Sequence, residues 1–171
     1  MAVTPKPVAV VDLDGVVADV RHRLRHLEPR PGRRARKDWR AFFAAAGDDD
    51  VHPEGLAIVQ KLAADHDVVF VTGRPSHVRN VTETWLDEHG LGRHELIMRP
   101  DGDHRPAPVV KVELLAAIAA ERPIAVVVDD DRRVLEAVAA AGHPTFLADW
   151  ERRPQSADAA LHQAQDVEGR T

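Results

Sequence analysis

Short apolar segments that end abruptly in polar or charged residues are the feature of this sequence that most constrains its fold. Residues 8–11, 68–71 and 124–128 are continuous apolar runs, and shorter segments of the same kind occupy residues 96–98 and 145–147. Continuous apolar runs of this length are typical of strands that are buried on both faces of a sheet. The segments between them predict helices over residues 39–46, 53–64, 76–89, 109–121 and 132–141.

This alternation of strands and helices predicts one α/β domain over residues 1–171. Strands that are joined by helices pair in parallel through right-handed crossovers, and the helices cover both faces of the sheet. The fold class that we expect is therefore a three-layer, Rossmann-like parallel sheet. Ligands of such sheets bind beyond the carboxyl ends of the strands, so the residues that follow each apolar run are the first candidates for function.

Composition excludes several classes of protein. The sequence has no cysteine, which excludes disulfides and thiolate metal sites and fits a reducing compartment. Its apolar runs are much shorter than a membrane span, so we expect a cytoplasmic protein without membrane contact. The formal net charge of −5 makes non-specific binding of nucleic acid over the whole surface unfavourable.

Polar and charged side chains follow most of the predicted strands. They are Asp12, Asp14, Thr72, Arg74, Arg99 and the three aspartates 129–131, and Lys111 lies in the first turn of a predicted helix. Carboxylates without cysteine or histidine partners favour a hard cation with oxygen ligands, and Mg²⁺ fits best. The lysine, threonine and arginines are donors for an anion with several oxygens. A cation and such donors around one carboxylate are what phosphoryl transfer requires.

Asp12 and Asp14 are at the centre of this predicted site. Side chains at positions i and i+2 of a strand point to the same face, so the two carboxylates begin side by side. They repel each other unless a cation or a shared proton holds them together, and Gly15 allows the backbone to turn sharply. The simpler interpretation is an acidic turn after a strand. In the chemical interpretation, one carboxylate is a covalent nucleophile and its neighbour transfers the proton.

Four segments resemble, in order, the motifs of the haloacid dehalogenase-like phosphatase superfamily. They are residues 12–16, residues 71–74, Lys111 and the pair 129–130. The resemblance implies that Asp12 is the nucleophile, that Asp14 is the general acid and base, and that Thr72 and Lys111 hold the phosphoryl oxygens.

The same resemblance implies a bound Mg²⁺ ion. Its ligands would be Asp12, the backbone carbonyl of Asp14 and an acidic residue of the last motif. Among the three consecutive aspartates we favour Asp130 as the direct ligand and expect Asp129 to contact the site without binding the ion. Which of the three aspartates is the ligand stays open.

A narrower resemblance is to the phosphatase domain of phage polynucleotide kinase-phosphatase. It rests on residues 71–75, 98–99, 102–105 and 109–111 and on the last motif with Val134 and Glu136. It implies removal of 3′-phosphates from nucleic-acid ends, with Gly73, Arg74 and Arg99 at the substrate. The expected partners are phosphorylated DNA or RNA ends or nucleotides.

Two other functions stay open from the sequence. A 5′(3′)-nucleotidase, or another small-molecule phosphatase, would use the same chemistry on a smaller substrate. A non-catalytic module that binds phosphorylated partners would use the same site without turnover. Such a module is expected to have lost Asp12 or Asp14, and the sequence retains both.

Residues 19–52 are predicted to form a small helical cap insertion. Its basic segment, residues 21–37, is either a solvated loop or a surface for an anionic substrate. Trp39, Phe42 and Phe43 have helical spacing and are expected to pack together. Residues 48–50, three consecutive aspartates, are expected only to face solvent and to cap a helix. Residues 150–171 have no apolar periodicity and are expected to form a flexible or short helical tail.

Overall fold

The computed structural model describes residues 5–28, 37–151 and 153. In chain order its elements are β1 (Val8–Val11), β2 (Ala18–Asp19), α1 (Trp39–Ala44), β3 (Asp50–Val51), α2 (Pro53–Asp65), β4 (Asp67–Pro75), α3 (Arg79–Glu88), β5 (Glu95–Arg99), α4 (Ala107–Glu121), β6 (Ile124–Asp129), α5 (Arg132–Ala140) and β7 (Thr145–Leu147). Short 3₁₀ helices occupy Arg21–His26, Ala45–Asp48 and Ser76–Val78.

Five strands form one parallel sheet in the order β5-β4-β1-β6-β7. The strand β1 lies in the centre, where Val11 is in register with Phe70 of β4 and with Val128 of β6. The carboxyl ends of the three central strands therefore lie at one edge of the sheet. The predicted α/β fold with a parallel sheet between two layers of helices is confirmed.

Both faces of the strand β1 pack against apolar side chains, which explains its continuous apolar sequence. Ala9 and Val11 pack with Val59 of α2 and Trp85 of α3 in one hydrophobic cluster. Val8 and Val10 belong to a second cluster, which includes residues of α4 and α5. Since alternate side chains of a strand point to opposite faces, both faces of β1 must be apolar.

The predicted cap insertion, residues 19–52, is joined to the sheet by a short neck of two strands that the sequence did not reveal. The strands β2 and β3 pair antiparallel, with Ala18 opposite Val51 and Asp19 opposite Asp50. Each strand has two residues, which is too short to produce a recognisable apolar pattern.

Beyond this neck the cap has its own small hydrophobic cluster. Trp39 and Phe42 are buried there with Leu24, and Phe43 packs against them. The expected packing of these aromatic side chains is confirmed. Residues 29–36, which include four arginines of the predicted basic segment, lie outside the described residues.

The chain folds back toward the sheet after β7. Trp150 Nε1 donates a hydrogen bond to the carbonyl oxygen of Val16, at 2.8 Å. The first residues of the predicted tail are therefore packed against the domain, whereas residues 152 and 154–171 lie outside the described part of the chain. Among the helices described, none is both long and apolar enough to cross a membrane.

Candidate active site

Asp12 follows β1 directly and is buried. The ammonium nitrogen of Lys111, in the first turns of α4, lies 3.1 Å from Oδ1 of Asp12 and also contacts Oδ2 of Asp129. Within the described part of the chain, Oδ1 of Asp12 accepts no hydrogen bond. This buried oxygen is thus ion-paired with Lys111 but accepts no hydrogen bond, so it retains lone-pair capacity for a ligand.

Three carboxylates converge at the same place. One oxygen each of Asp12, Asp129 and Asp130 lies within 4.8 Å of the other two. Asp129 is held by two contacts, since its Oδ1 accepts from the amide of Asp131 at 2.9 Å and its Oδ2 contacts Lys111. The two buried carboxylates of Asp12 and Asp129 and the partly buried one of Asp130 fit a hard divalent cation in this arrangement.

The protonation behaviour of this cluster reflects burial and mutual repulsion. Burial raises the pKa of Asp12 well above its usual value, Lys111 opposes that change, and Asp129 adds to it. Burial also raises the pKa of Asp130 to about 7, although Arg153 acts in the opposite direction. The pKa of Lys111 is raised because Asp12 and Asp129 together outweigh the effect of its burial. Positive charge is therefore needed to keep these carboxylates ionised together.

Asp14 lies in a second, separate charge cluster. Its Oδ1 accepts hydrogen bonds from Nη2 of Arg23 at 2.9 Å and from Nε and Nη2 of Arg74 at 2.8 and 2.6 Å. Burial favours the neutral acid, but the two guanidinium groups outweigh it and hold the pKa of Asp14 below its usual range. The carboxylate of Asp14 is therefore ionised in this arrangement.

Asp49 completes this second cluster from the cap side. Its Oδ1 accepts from Nε of Arg23 at 2.7 Å, and its Oδ2 accepts from Nη2 of Arg23 at 2.7 Å and Nη2 of Arg74 at 2.9 Å. The indole of Trp85 donates to its backbone oxygen at 2.8 Å. The expectation that residues 48–50 only face solvent is wrong for Asp49, because two buried arginines require a second carboxylate beside Asp14.

Gly15 allows the loop after β1, which contains the predicted nucleophile Asp12, to approach Asp130. Its φ of +79° is in the left-handed region, and a β-carbon placed on it would lie 2.2 Å from Oδ2 of Asp130. A side chain here would thus be both strained and in collision with a carboxylate of the site.

The other predicted substrate residues have different surroundings. The buried hydroxyl of Thr72 accepts from the amide of Arg74 at 3.2 Å, and the space beside the α-carbon of Gly73 is open. Arg99 donates from Nη1 to the carbonyl oxygens of Asp103 and Arg105, at 3.1 and 2.8 Å, and so holds the loop after β5.

The phosphatase-domain family of polynucleotide kinase PNKP matches residues 6–148 of this chain. The chain belongs to this family. It is a phosphatase domain with a haloacid dehalogenase-like fold, and the matched segment spans β1 to β7 with the cap insertion. No curated protein matches the chain at a significant level.

Solved structures share the fold of this phosphatase domain at low sequence identity. A chain of the Pnkp1/Rnl/Hen1 RNA repair complex is 21% identical, with a TM-score of 0.64 over 83% of this chain and 42% of that one. This chain thus spans less than half of that relative. The YfnB hydrolase from Bacillus subtilis, bound to magnesium, is 12% identical, with a TM-score of 0.60 over 88% and 93% of the two chains. Class C acid phosphatase from Bacillus anthracis, with tungstate bound, is 12% identical, with a TM-score of 0.58 over 95% and 80%.

Three residues of the phosphatase site were missed by sequence reasoning. Arg23 was one basic residue among many in a segment expected to be exposed, yet it is completely buried. Asp49 was hidden in a run of three aspartates, and Arg153 lies in a segment without apolar pattern. No local signal distinguishes these residues, because only the folded chain brings them to the strand ends.

Proposed function

We propose that this phosphatase domain is a Mg²⁺-dependent phosphomonoesterase that acts on the 3′-phosphate ends of nucleic acids through an aspartyl-phosphate on Asp12. The observation that carries the proposal is the buried Oδ1 of Asp12. It accepts no hydrogen bond in the described part of the chain, and the ammonium group of Lys111 lies 3.1 Å from it. A nucleophilic oxygen must keep a free lone pair, and a neighbouring cation favours its ionised form.

The residues present fit the cation that such a reaction uses. Asp12, Asp129 and Asp130, with the backbone carbonyl of Asp14, would hold the ion. When bound, Mg²⁺ neutralises charge on the carboxylates and on the phosphoryl group. Two observations support this assignment: the three carboxylate oxygens lie close together, and burial alone disfavours their shared negative charge.

In the first step, an oxygen of Asp12 forms a bond to phosphorus and the bond from phosphorus to the leaving oxygen breaks. Asp14, which is ionised without substrate, must first take up a proton from solvent as the substrate binds; it gives this proton to the leaving oxygen, which departs as a hydroxyl group. In the second step, water attacks the phosphorus, Asp14 takes up the proton, and inorganic phosphate and free Asp12 result. Lys111 and the hydroxyl of Thr72 hold the phosphoryl oxygens in both steps.

Arg23 and Arg74 tune the proton transfer in this scheme. Both donate to Asp14 and favour its ionised form, which suits the base that activates water. An incoming phosphate dianion competes with Asp14 for the guanidinium of Arg74. Release of Arg74 toward the phosphate raises the proton affinity of Asp14, which suits the acid that protonates the leaving oxygen.

The nucleic-acid substrate is supported by the family and by the cap. The family is named for the phosphatase domain of a polynucleotide kinase, and a neighbour of similar fold belongs to an RNA repair complex. Arg25 is exposed on the first 3₁₀ helix of the predicted cap, where it can contact the phosphates of a strand, whereas the exposed Arg21 is paired with Asp19. RNA ends are therefore the first substrates to test.

The test is a phosphate-release panel with purified protein and Mg²⁺. It compares 3′-phosphorylated RNA and DNA oligonucleotides, 5′-phosphorylated oligonucleotides, nucleoside monophosphates and sugar phosphates. We expect the highest kcat/KM with 3′-phosphorylated ends, and loss of activity when the metal is chelated. Faster turnover of nucleoside monophosphates than of oligonucleotide ends would identify a nucleotidase, and absence of turnover with every substrate would identify a binding module.

A further inference from the structure

The segment after β7 contacts both the cap and the cation site. We define the C-terminal strap as Trp150, Glu151 and Arg153. Trp150 hydrogen-bonds to the carbonyl of Val16 in the loop that follows the nucleophile. None of the four superfamily motifs includes the strap, and the scheme above gives it no role.

Glu151 holds the two ends of the cap insertion together. Its Oε1 accepts from the amide of Val20 at 3.0 Å and lies 3.0 Å from Nε2 of His52. Val20 follows β2 and His52 follows β3, so one carboxylate oxygen closes the neck of the cap. The side chain of Glu151 has no exposed surface, which makes these contacts hard for water to replace.

Arg153 connects Glu151 to the cation site. Its Nη1 lies 2.7 Å from Oε2 of Glu151, and its Nη2 contacts Oδ2 of Asp130. The side chain of Arg153 is only 5% exposed. A guanidinium that is engaged by carboxylates at two nitrogens has a fixed orientation. Asp130 is therefore held from outside by an arginine that is itself held by Glu151.

The contact lies against the nucleophile loop. A β-carbon on Gly15 would be 3.2 Å from Nη1 of Arg153 and 2.2 Å from Oδ2 of Asp130. The strap, Asp130 and the loop that contains Gly15 thus meet at one point, with no room there for a further side chain.

We propose that Arg153 is a positioning residue that orients Asp130 as a ligand of the catalytic cation, and that Glu151 anchors Arg153 and the neck of the cap. The inference deepens the proposed function and rests on its cation site. Partners that orient a metal ligand commonly change metal affinity by about 10–100-fold. The positive charge of the guanidinium also repels a bound cation. Removal of the guanidinium should therefore weaken Mg²⁺ binding if Arg153 positions Asp130, and should strengthen it if Arg153 only competes with the cation.

The experiment measures binding of Mg²⁺ to the full chain by isothermal titration calorimetry, without substrate. Arg153→Met removes the guanidinium and keeps the apolar part of the side chain, and Arg153→Lys retains the charge. The control is Arg122→Met, because Arg122 also pairs with a carboxylate, that of Glu95, in a more exposed ion pair at the opposite end of the sheet. Thermal melting of each variant without metal establishes that it is folded.

We expect Arg153→Met to bind Mg²⁺ about 10-fold more weakly, Arg153→Lys to recover part of the loss, and Arg122→Met to equal the wild type. Saturating Mg²⁺ should restore most of the kcat of Arg153→Met. Equal or tighter binding by Arg153→Met overturns the proposal, as does loss of affinity of the same size in Arg122→Met. A wild type that binds Mg²⁺ but releases no phosphate from any substrate contradicts the proposed function and leaves the Arg153 comparison valid.

Discussion

Replacement of Gly15 by alanine tests how closely the loop after β1 packs against the proposed cation site. The backbone of Gly15 is left-handed, with φ of +79°. Alanine in that conformation costs roughly 1–2 kcal/mol, of which about 0.4–1 kcal/mol is recovered because alanine restricts the unfolded chain. In addition, the new β-carbon would lie 2.2 Å from Oδ2 of Asp130, so this carboxylate must shift, which we expect to weaken its contact with Arg153.

Gly90 provides a matched control for the backbone part of this effect. Its φ is +71°, and a β-carbon placed on it would meet no atom within 4 Å. Gly90→Ala should therefore show the strain alone, a net loss of about 1 kcal/mol in the free energy of unfolding. Gly15→Ala should lose about 1.5–3 kcal/mol more, the value of a hydrogen bond between charged groups.

Urea unfolding without metal and calorimetric binding of Mg²⁺ check this prediction together. We expect both variants to fold, Gly15→Ala to bind Mg²⁺ weakly with little phosphatase activity, and Gly90→Ala to retain both properties. Equal stability of the two variants, with wild-type activity in Gly15→Ala, would refute the packing of Gly15 against Asp130.

Three other changes test the charge clusters and the loop after β5. Asp49→Asn should destabilise the domain by about 3–5 kcal/mol, since it leaves the two buried guanidinium groups of Arg23 and Arg74 with a single carboxylate, that of Asp14. The exposed Asp50→Asn should change stability by less than about 0.5 kcal/mol in the same urea titration. Lys111→Met should abolish phosphate release, and Mg²⁺ should raise its melting temperature more than that of the wild type, because the carboxylates lose their internal cation. Hydrogen bonds from Arg105 lower the pKa of Asp103 to about 2, so this aspartate stabilises the fold above its unfolded pKa of 3.8 and loses that contribution as the pH falls toward 2. Asp103→Asn should therefore lose less stability than the wild type between pH 4 and pH 2, and a larger loss would contradict the assignment.

The fold could be predicted because its central strands are buried on both faces. Such strands leave continuous apolar runs, and the five predicted strands are all present. Helix bounds were predicted less well. One helix was predicted over residues 76–89, whereas the structure has a 3₁₀ turn at Ser76–Val78 and the helix α3 at Arg79–Glu88. The strands of the cap neck are two residues long and could not be predicted, since pairing between distant segments leaves no pattern in so short a stretch.

The cation side of the site was easier to predict than the cap side. Asp12, Asp129 and Asp130 follow strands that the apolar pattern locates, and the structure brings them together. Arg74 was predicted to lie at the substrate, and in the structure it is buried between Asp14 and Asp49. The contact between Arg74 and Asp49 could not be inferred from the sequence, because Asp49 reaches the site only when the predicted cap folds.

The central claim is that Asp12 carries the phosphoryl group during turnover. The most direct measurement is an acid quench of the wild type during hydrolysis of its best substrate from the panel, followed by proteolysis and mass spectrometry of the peptide that contains Asp12. We predict a phosphoryl group on the carboxylate of Asp12, and neither this adduct nor turnover in Asp12→Asn, which should remain folded. Turnover by Asp12→Asn at the wild-type rate, or a phosphoryl group on another residue, would contradict the account.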